Sequence, residues 1–284
     1  VEWVRFNNLP PPLTLRVNRL RTTPATLREQ LAEHGVRTTP TRFAHDGLTV
    51  AEGNPYRTPA AKKGLFLAQD EASQLIAELV GARPGHRVLD TCAAPGGKTT
   101  ALRAAIGPSG RLVAGDLRPT RLRVLRDTLD ALGAVVSIVQ LDLRRGVPCE
   151  PVFDRVLVDA PCSGLGTIRR DPDIRWRRQP ADLTHFAHEQ QVMLRQAARV
   201  VRPGGRLIYA TCSSEPEENQ AVVHAFLNEH MRFRVVARDE QHTLSSGLAP
   251  VLDTNGCLVT KPAQHGLEAF FAAVLERDQE TRAS

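Results

Sequence analysis

Two cysteines stand where a thiol could do chemistry. Cys162 lies in Asp159-Ala160-Pro161-Cys162-Ser163-Gly164 and Cys212 in Ala210-Thr211-Cys212-Ser213-Ser214, each just past an apolar run. Free cysteines are usually buried small hydrophobes, and Cys149 and Cys257 are read that way. Cys162 and Cys212 differ because they fall in polar loops of glycine, serine and proline. A third stretch, Val88-Leu89-Asp90-Thr91-Cys92-Ala93-Ala94-Pro95-Gly96-Gly97-Lys98-Thr99, reads as a buried strand, a tight loop of small residues and a helix starting near Lys98. Its glycines and alanines let the backbone approach a ligand closely. The N–H groups that open the helix attract a carboxylate or a phosphate.

Elimination narrows the ligand. Gly97-Lys98-Thr99 matches the end of a phosphate-binding loop, but Cys92 occupies the place of its first glycine, and Pro95 removes an N–H from the nest. The dinucleotide pattern G-x-G-x-x-G is absent, which argues against a nicotinamide enzyme. A nucleoside cofactor with one small charged end remains, and S-adenosyl-L-methionine fits. A thiolate beside a methyl donor suggests methylation of a cytosine. Carbon 5 of cytosine is too weak a nucleophile alone, but a thiolate adding at carbon 6 makes it enamine-like. Such a thiol needs a lowered pKa, and the base must leave its stack. Residue chemistry alone leaves open which cysteine attacks.

The elements that position these residues begin near position 71. A helix over 72–80 leads into alternating strands (87–90, 111–115, 135–139, 154–158, 206–211) and helices (98–105, 119–132, 183–201). That alternation predicts a parallel sheet covered on both faces, an α/β Rossmann-like architecture. Ligands in such sheets sit at the carboxyl ends of the strands. Asp90, Asp116, Asp142 and Asp159 stand at or just beyond four of those ends. Asp116 lies where an acid takes ribose hydroxyls, and Arg121, on the helix that follows, is placed with it in the cofactor set. Pro203-Gly204-Gly205 reads as a turn before the fifth strand.

Residues 1–70 form a separate small α+β unit, with residues 71–284 as the main domain. Leu13–Asn18 reads as a strand. Thr23 and Pro24 open a helix through Leu27 and Leu31 that Gly35 stops, and a second strand spans 48–51. Arg16, Arg19 and Arg21 are expected to be exposed there.

Composition sets the bounds. The 284 residues are 42% hydrophobic, enough for a globular core. No apolar run approaches the roughly 20 residues of a membrane span, and no signal-peptide pattern opens the chain. Five cysteines, odd in number and without C-x-x-C, suggest neither a disulfide framework nor a zinc site. A reducing, cytoplasmic setting follows. The nine histidines form no metal-spaced cluster, so no metal is expected. A net charge of +6, carried almost wholly by arginine, suits a polyanionic partner. Arg169, Arg170, Arg175, Trp176, Arg177 and Arg178 interleave arginine with an aromatic, a pattern for phosphate contact and base stacking. The chain opens at Val1, which fits a piece of something longer, and it is expected to act as a monomer.

With those motifs assembled, the chain resembles the RNA cytosine-C5 methyltransferases, specifically the RsmB (Fmu/Sun) type that acts on bacterial small-subunit (16S) ribosomal RNA. The likeness rests on Asp90 to Thr99, on Asp159 to Gly164, and on Thr211-Cys212-Ser213 with Pro216, Glu218 and Asn219. It continues through Leu15-Arg16-Val17-Asn18, Gln69-Asp70-Glu71-Ala72-Ser73 and Arg169 to Trp176. The resemblance implies a small N-terminal RNA-binding domain and an RNA substrate. It implies that Cys212 is the nucleophile, that Cys162 assists product release, and that Asp159 and Lys98 complete the catalytic set. Gly96, Gly97 and Lys98 would hold the methionine end of the cofactor, beside a wall of Cys92, Ala93, Ala94 and Pro95. Asp116 would hold the ribose and Asp142 the adenine, while Asp159, also in the cofactor set, would contact the target base or help the proton transfers. Departures are Gln220, where members commonly have an acid, and Glu268-Ala269-Phe270-Phe271 in place of Asp-Gly-Phe-Phe. A helical RNA-binding domain usual in this type is absent, which fits a truncated chain or a shorter relative with another target. The competing readings are another acceptor (tRNA, DNA or protein) and a non-catalytic ribosome-assembly factor that binds cofactor and RNA.

Overall fold

The computed structural model describes residues 2–241 and 246–279. Its first sheet contains β1 (Thr14–Val17), β2 (Arg37–Pro40), β3 (Gly47–Glu52) and β4 (Phe66–Ala68), antiparallel in the order β2-β3-β1-β4. Helices α1 (Glu2–Asn7), α2 (Pro24–Ala32) and α3 (Pro59–Lys62) accompany it. Thr23 caps α2: its Oγ1 accepts the Thr26 N–H at 3.2 Å, and Pro24 fills a first-turn position that needs no donor. Leu27 and Leu31, one turn apart, bury fully against Leu15, Val17, Leu48 and Phe66.

The second unit follows in the order α4 (Glu71–Leu79), β5 (Arg87–Asp90), α5 (Gly97–Ile106), β6 (Arg111–Asp116), α6 (Pro119–Leu132), β7 (Ser137–Gln140) and β8 (Phe153–Asp159). It continues through α7 (Ile174–Arg177), α8 (Pro180–Ala198), β9 (Val201–Thr211), α9 (Gln220–Glu229), β10 (Phe233–Val235), β11 (Leu258–Val259), α10 (Pro262–His265) and β12 (Phe271–Arg277). The sheet order is β10-β12-β9-β8-β5-β6-β7, with β11 pairing β12. Strands β5 to β9 are parallel, and β12, β10 and β11 pair antiparallel. From β5 the chain builds β6 and β7 on one side, then crosses back to build β8 and β9 on the other. The strand order therefore reverses between β5 and β8, the place where such sheets bind ligands.

Successive strand residues feed opposite faces, as the pleat requires. Val88, Leu157 and Ile208 pack with Leu75, Ile76, Leu102 and Ile106 on one face. Leu89, Val156, Val158 and Leu207 pack with Met193, Leu194 and Phe226 on the other. Each such buried aliphatic side chain contributes about 1.5–3 kcal/mol, so two continuous cores hold the loops at the strand ends.

The structure corrects three expectations. Pro203-Gly204-Gly205 lies inside one long β9: Phe153 pairs with Val201 but Arg155 with Arg206, so extra residues bulge out of register instead of turning ahead of the strand. Cys149 is exposed in the loop before β8, not buried. Arg16 is 4% exposed, because the outer face of β1 is covered by α5. Its guanidinium donates to Gly97 O and Thr100 Oγ1. Nearby, Asn18 Nδ2 donates to Gly64 O and Leu132 O, both at 2.8 Å, and Arg21 donates to Lys63 O and, at 2.9 Å, to Ala131 O. A cation and an amide thus satisfy the last carbonyls of α6 and join the two units.

Candidate active site

The loop between β5 and α5 is tied down from both neighbouring strands. Thr91 N–H donates to Leu157 O at 3.0 Å and Ala93 N–H to Gly115 O at 2.8 Å. Gly96 takes φ +109° at the helix N-cap, a left-handed conformation that favours glycine, and a Cβ there would press on Leu125 Cδ1 at 3.0 Å. Asp116, ending β6, accepts from Ala94 N–H at 3.3 Å and from Arg121 Nε at 3.2 Å, while Arg121 also donates to Ala94 O at 2.6 Å. Asp142, two residues past β7, is bonded by Arg144 at 2.9 and 3.1 Å, which holds its carboxyl below the usual range.

These groups open onto a cavity of about 500 Å³ whose lining includes Cys92, Asp116, Asp142, Asp159, Cys162 and Cys212. Lys98, Ala94 and Arg121 line it too. Ala93, Pro95 and Gly97 face a second cavity of about 530 Å³ on the side of β1 and β4, which shares Cys92, Ala94, Lys98 and Asp159 with the first. The sequence-predicted residues are thus brought together around one loop, with Gly96 shaping the turn.

At the switch point Lys98 Nζ lies 2.6 Å from Asp159 Oδ2, and 6.0 Å from the Phe270 ring centre. Burial pulls the Lys98 ammonium down, but the charges of Asp159 and Asp70 and the bond to Asp159 outweigh it and hold the pKa above the ordinary value. Parallel pairing of Asp159 with Ala210 brings the two cysteine loops side by side. Cys162 Sγ and Cys212 Sγ are 3.3 Å apart, and both residues are half-buried. Hydrogen bonding from Cys162 lowers the Cys212 thiol against the opposing effect of burial, and Lys98 assists. Cys162 is raised, first by that same bond, then by burial and by the charges of Cys212 and Glu218. Of the two, Cys212 is thus the thiol shifted towards ionisation and Cys162 the one shifted away from it. Burial, with Asp159 nearby, pushes Cys92 far up, so Cys92 is wall.

Sequence reasoning missed the network behind the thiols. Glu218, fully buried, accepts from Ser163 N–H, Ser163 Oγ, Ser213 Oγ and Gln190 Nε2. The signal was present, since a serine follows each cysteine. The arginine-rich segment after Cys162 divides in the structure. Arg169 donates to Leu9 O and Pro10 O and stacks on Phe6, Arg170 pairs with Glu268 at 2.8 Å, and Arg178 donates to Ser163 O at 2.7 Å. Trp176 is 80% exposed between Arg175, which donates to Pro172 O at 3.2 Å, and Arg177, which pairs with Asp171 at 2.8 Å.

The parallel sheet, the loop after β5 and the pocket at the strand ends have the architecture of the Rossmann-like methyltransferases. The family model described as 16S rRNA methyltransferase RsmB/F matches residues 77–276, and the ferredoxin-like domain model of RsmF/B-like methyltransferases matches residues 2–57. The chain belongs to the RsmB/F methyltransferase family. It is 41% identical over 228 residues to ribosomal RNA small subunit methyltransferase B of Pseudomonas putida, covering 78% of this chain and 51% of that protein. Against the protein of the same name from Vibrio cholerae it is 35% identical, covering 97% of this chain and 62% of the other. A methyltransferase homolog protein from Pyrococcus horikoshii superposes with a TM-score of 0.81 at 27% identity, covering 97% and 90%. The chain spans 61% of the length of the first curated relatives it matches. Among the described residues no helix is long and apolar enough to cross a membrane.

Proposed function

We propose that this chain methylates carbon 5 of a cytosine in small-subunit ribosomal RNA, with Cys212 as the covalent nucleophile. The single observation that carries the reading is the Cys162–Cys212 pair, 3.3 Å apart, lining a cavity that the Lys98–Asp159 pair also lines. A cofactor-binding protein without chemistry needs neither thiol.

The residues fit S-adenosyl-L-methionine. Asp116 and Asp142 are acceptors for ribose hydroxyls and the adenine edge, Arg121 braces Asp116 against the loop, and the opening of α5 at Gly97 and Lys98 suits a carboxylate. Bound there, the cofactor supplies an electrophilic methyl group for carbon 5. The Cys212 thiolate adds to carbon 6, forming a C–S bond, and carbon 5 gains the nucleophilic character for methyl transfer. Asp159, held by Lys98, stands at the edge where the base enters and serves its proton transfers. Loss of the carbon 5 proton to a base then expels the Cys212 sulfur. Cys162, whose S–H is kept protonated, donates to that departing thiolate. Trp176 offers an open face for a neighbouring base, with Arg175 and Arg177 beside it for phosphate.

Transfer of labelled methyl to unmodified small-subunit ribosomal RNA, followed by digestion to nucleosides, tests this. Wild type should yield 5-methylcytidine and Cys212→Ala none, while Cys162→Ala should accumulate an RNA adduct stable on a denaturing gel. An active Cys212→Ala protein sinks the proposal.

A further inference from the structure

Glu218 follows β9 and is fully buried, yet among the described residues no Lys or Arg side chain bonds its carboxylate. Instead it takes four donors. Oε1 accepts from Ser163 N–H at 2.8 Å and Gln190 Nε2 at 3.0 Å, and Oε2 accepts from the Ser163 and Ser213 hydroxyls, the latter at 2.6 Å. All four contacts are donors aimed at carboxyl oxygens, so both oxygens of Glu218 are satisfied. The serines are the residues that follow Cys162 and Cys212. Their hydroxyls lie 3.1 Å apart, directly behind thiols 3.3 Å apart.

The network extends in both directions. Gln190 Nε2 also donates to Pro161 O at 2.9 Å, fixing the residue before Cys162. Asn219 Nδ2 donates to Ser213 O at 3.0 Å and its Oδ1 accepts from Thr211 Oγ1 at 2.5 Å, fixing the residues on either side of Cys212. The Tyr209 hydroxyl reaches Glu218 O at 2.5 Å. One buried carboxylate thus sits at the crossing of both cysteine loops. The groups facing the thiols are asymmetric. Lys98, Asp159 and Asp70 bear on Cys212, while Glu218 bears on Cys162.

We propose that Glu218 is a positioning residue for the cysteine pair: it clamps Ser163 to Ser213 and so holds the Cys162 S–H on the Cys212 sulfur. The inference rests on Cys212 being the nucleophile for its catalytic meaning, but its test requires neither RNA nor cofactor. Glu218 acts through Cys162, so removing it matters only while Cys162 is present. That distinguishes the clamp from general support of the fold.

The experiment is iodoacetamide alkylation of Cys212 across pH, with each cysteine read by peptide mass spectrometry, on the full chain. The variants are Cys162→Ala, Glu218→Ala, Glu218→Gln and the doubles of each Glu218 change with Cys162→Ala. Cys162→Ala should raise the alkylation midpoint of Cys212, and the loss of a hydrogen bond to a charged sulfur should appear as about tenfold slower reaction below it. Glu218→Ala should slow Cys212 to the same extent, and in the Cys162→Ala background it should add nothing. Glu218→Gln keeps the size but turns one acceptor oxygen into a donor that faces other donors, so about threefold slowing is expected, again absent without Cys162. If Glu218→Ala fails to fold, Glu218→Gln carries the test. Slowing that persists equally in the Cys162→Ala background, or no slowing in any Glu218 variant that melts like wild type, overturns the clamp. Success here with no methyl transfer to RNA would instead leave the clamp standing and remove the proposed reaction.

Discussion

Asp90 gives the most quantitative test of how this site is built. It ends β5 under the cofactor loop, 1% exposed, and its Oδ2 accepts the Thr99 hydroxyl at 2.7 Å. Burial, offset in part by that bond, raises its carboxyl from 3.8 to about 7. The native state therefore keeps a proton on Asp90 that the unfolded chain has released. Because the folded pKa lies above the unfolded one, the contribution to stability is whole below the unfolded pKa and is lost as pH rises towards the folded one. At 1.36 kcal/mol per pH unit, the full loss between 3.8 and about 7 is about 4 kcal/mol. Asp90→Asn keeps an acceptor for Thr99 and cannot ionise. Its stability relative to wild type should therefore improve by about 2.5 kcal/mol between about pH 5 and pH 8, with most of that gained before pH 7. Urea unfolding of both proteins without cofactor, at matched ionic strength, measures the difference. Parallel stability curves across that range would refute the assignment of a neutral Asp90.

Other consequences are as direct. Arg16→Ala removes the guanidinium that bonds Gly97 O and Thr100 Oγ1 across the domain seam. It should cost about 2–3 kcal/mol and expose the junction near Gln69 to limited proteolysis before the rest of the chain unfolds. Asp116→Ala should weaken cofactor binding about tenfold or more, by loss of hydrogen bonds to a charged acceptor, while RNA affinity measured by filter binding stays within experimental error. Trp176→Ala should cost about 1–3 kcal/mol of RNA affinity if a base stacks on it; as an 80% exposed side chain it should leave the thermal midpoint and cofactor affinity unchanged.

Much of the second unit was legible because parallel strands buried on both faces write themselves as apolar runs. The predicted strands at 87–90, 111–115, 135–139 and 154–158 match β5 to β8 within two residues. β12 was not legible. Phe271-Ala272-Ala273-Val274-Leu275 is buried throughout, so it shows no alternation, and a short apolar run cannot be told from a buried helix by periodicity. The Glu268-Ala269 step before it, where the chain departs from the family pattern, is anchored: Thr260 Oγ1 donates to Glu268 O at 2.6 Å and Ala269 N–H donates to Gly166 O at 3.0 Å. Arg16 was misread for the opposite reason. Alternation in β1 puts it opposite Leu15 and Val17, the solvent side of an isolated domain, and only the docking of α5 buries it.

The thiol pair shows why the candidate site could be found in outline but not in detail. Register decides that the two loops meet. Asp159 pairs with Ala210, and Ala160 N–H donates to Ala210 O at 2.8 Å, so Cys162 and Cys212 leave adjacent strands almost level. A slip of one residue would turn each strand's side chains to the opposite face, and the buried runs of β8 and β9 forbid it. Register alone leaves the loops free to splay. Gly166 closes that freedom from one side, donating its N–H to Cys212 O at 3.0 Å and accepting from Ala269, in a space where a Cβ would lie 2.0 Å from Ala269 O. Glu218 closes it from the other. Strand periodicity can place two cysteines at one edge of a sheet, but a contact of 3.3 Å between their sulfurs depends on a buried carboxylate and a glycine whose partners lie tens of residues away.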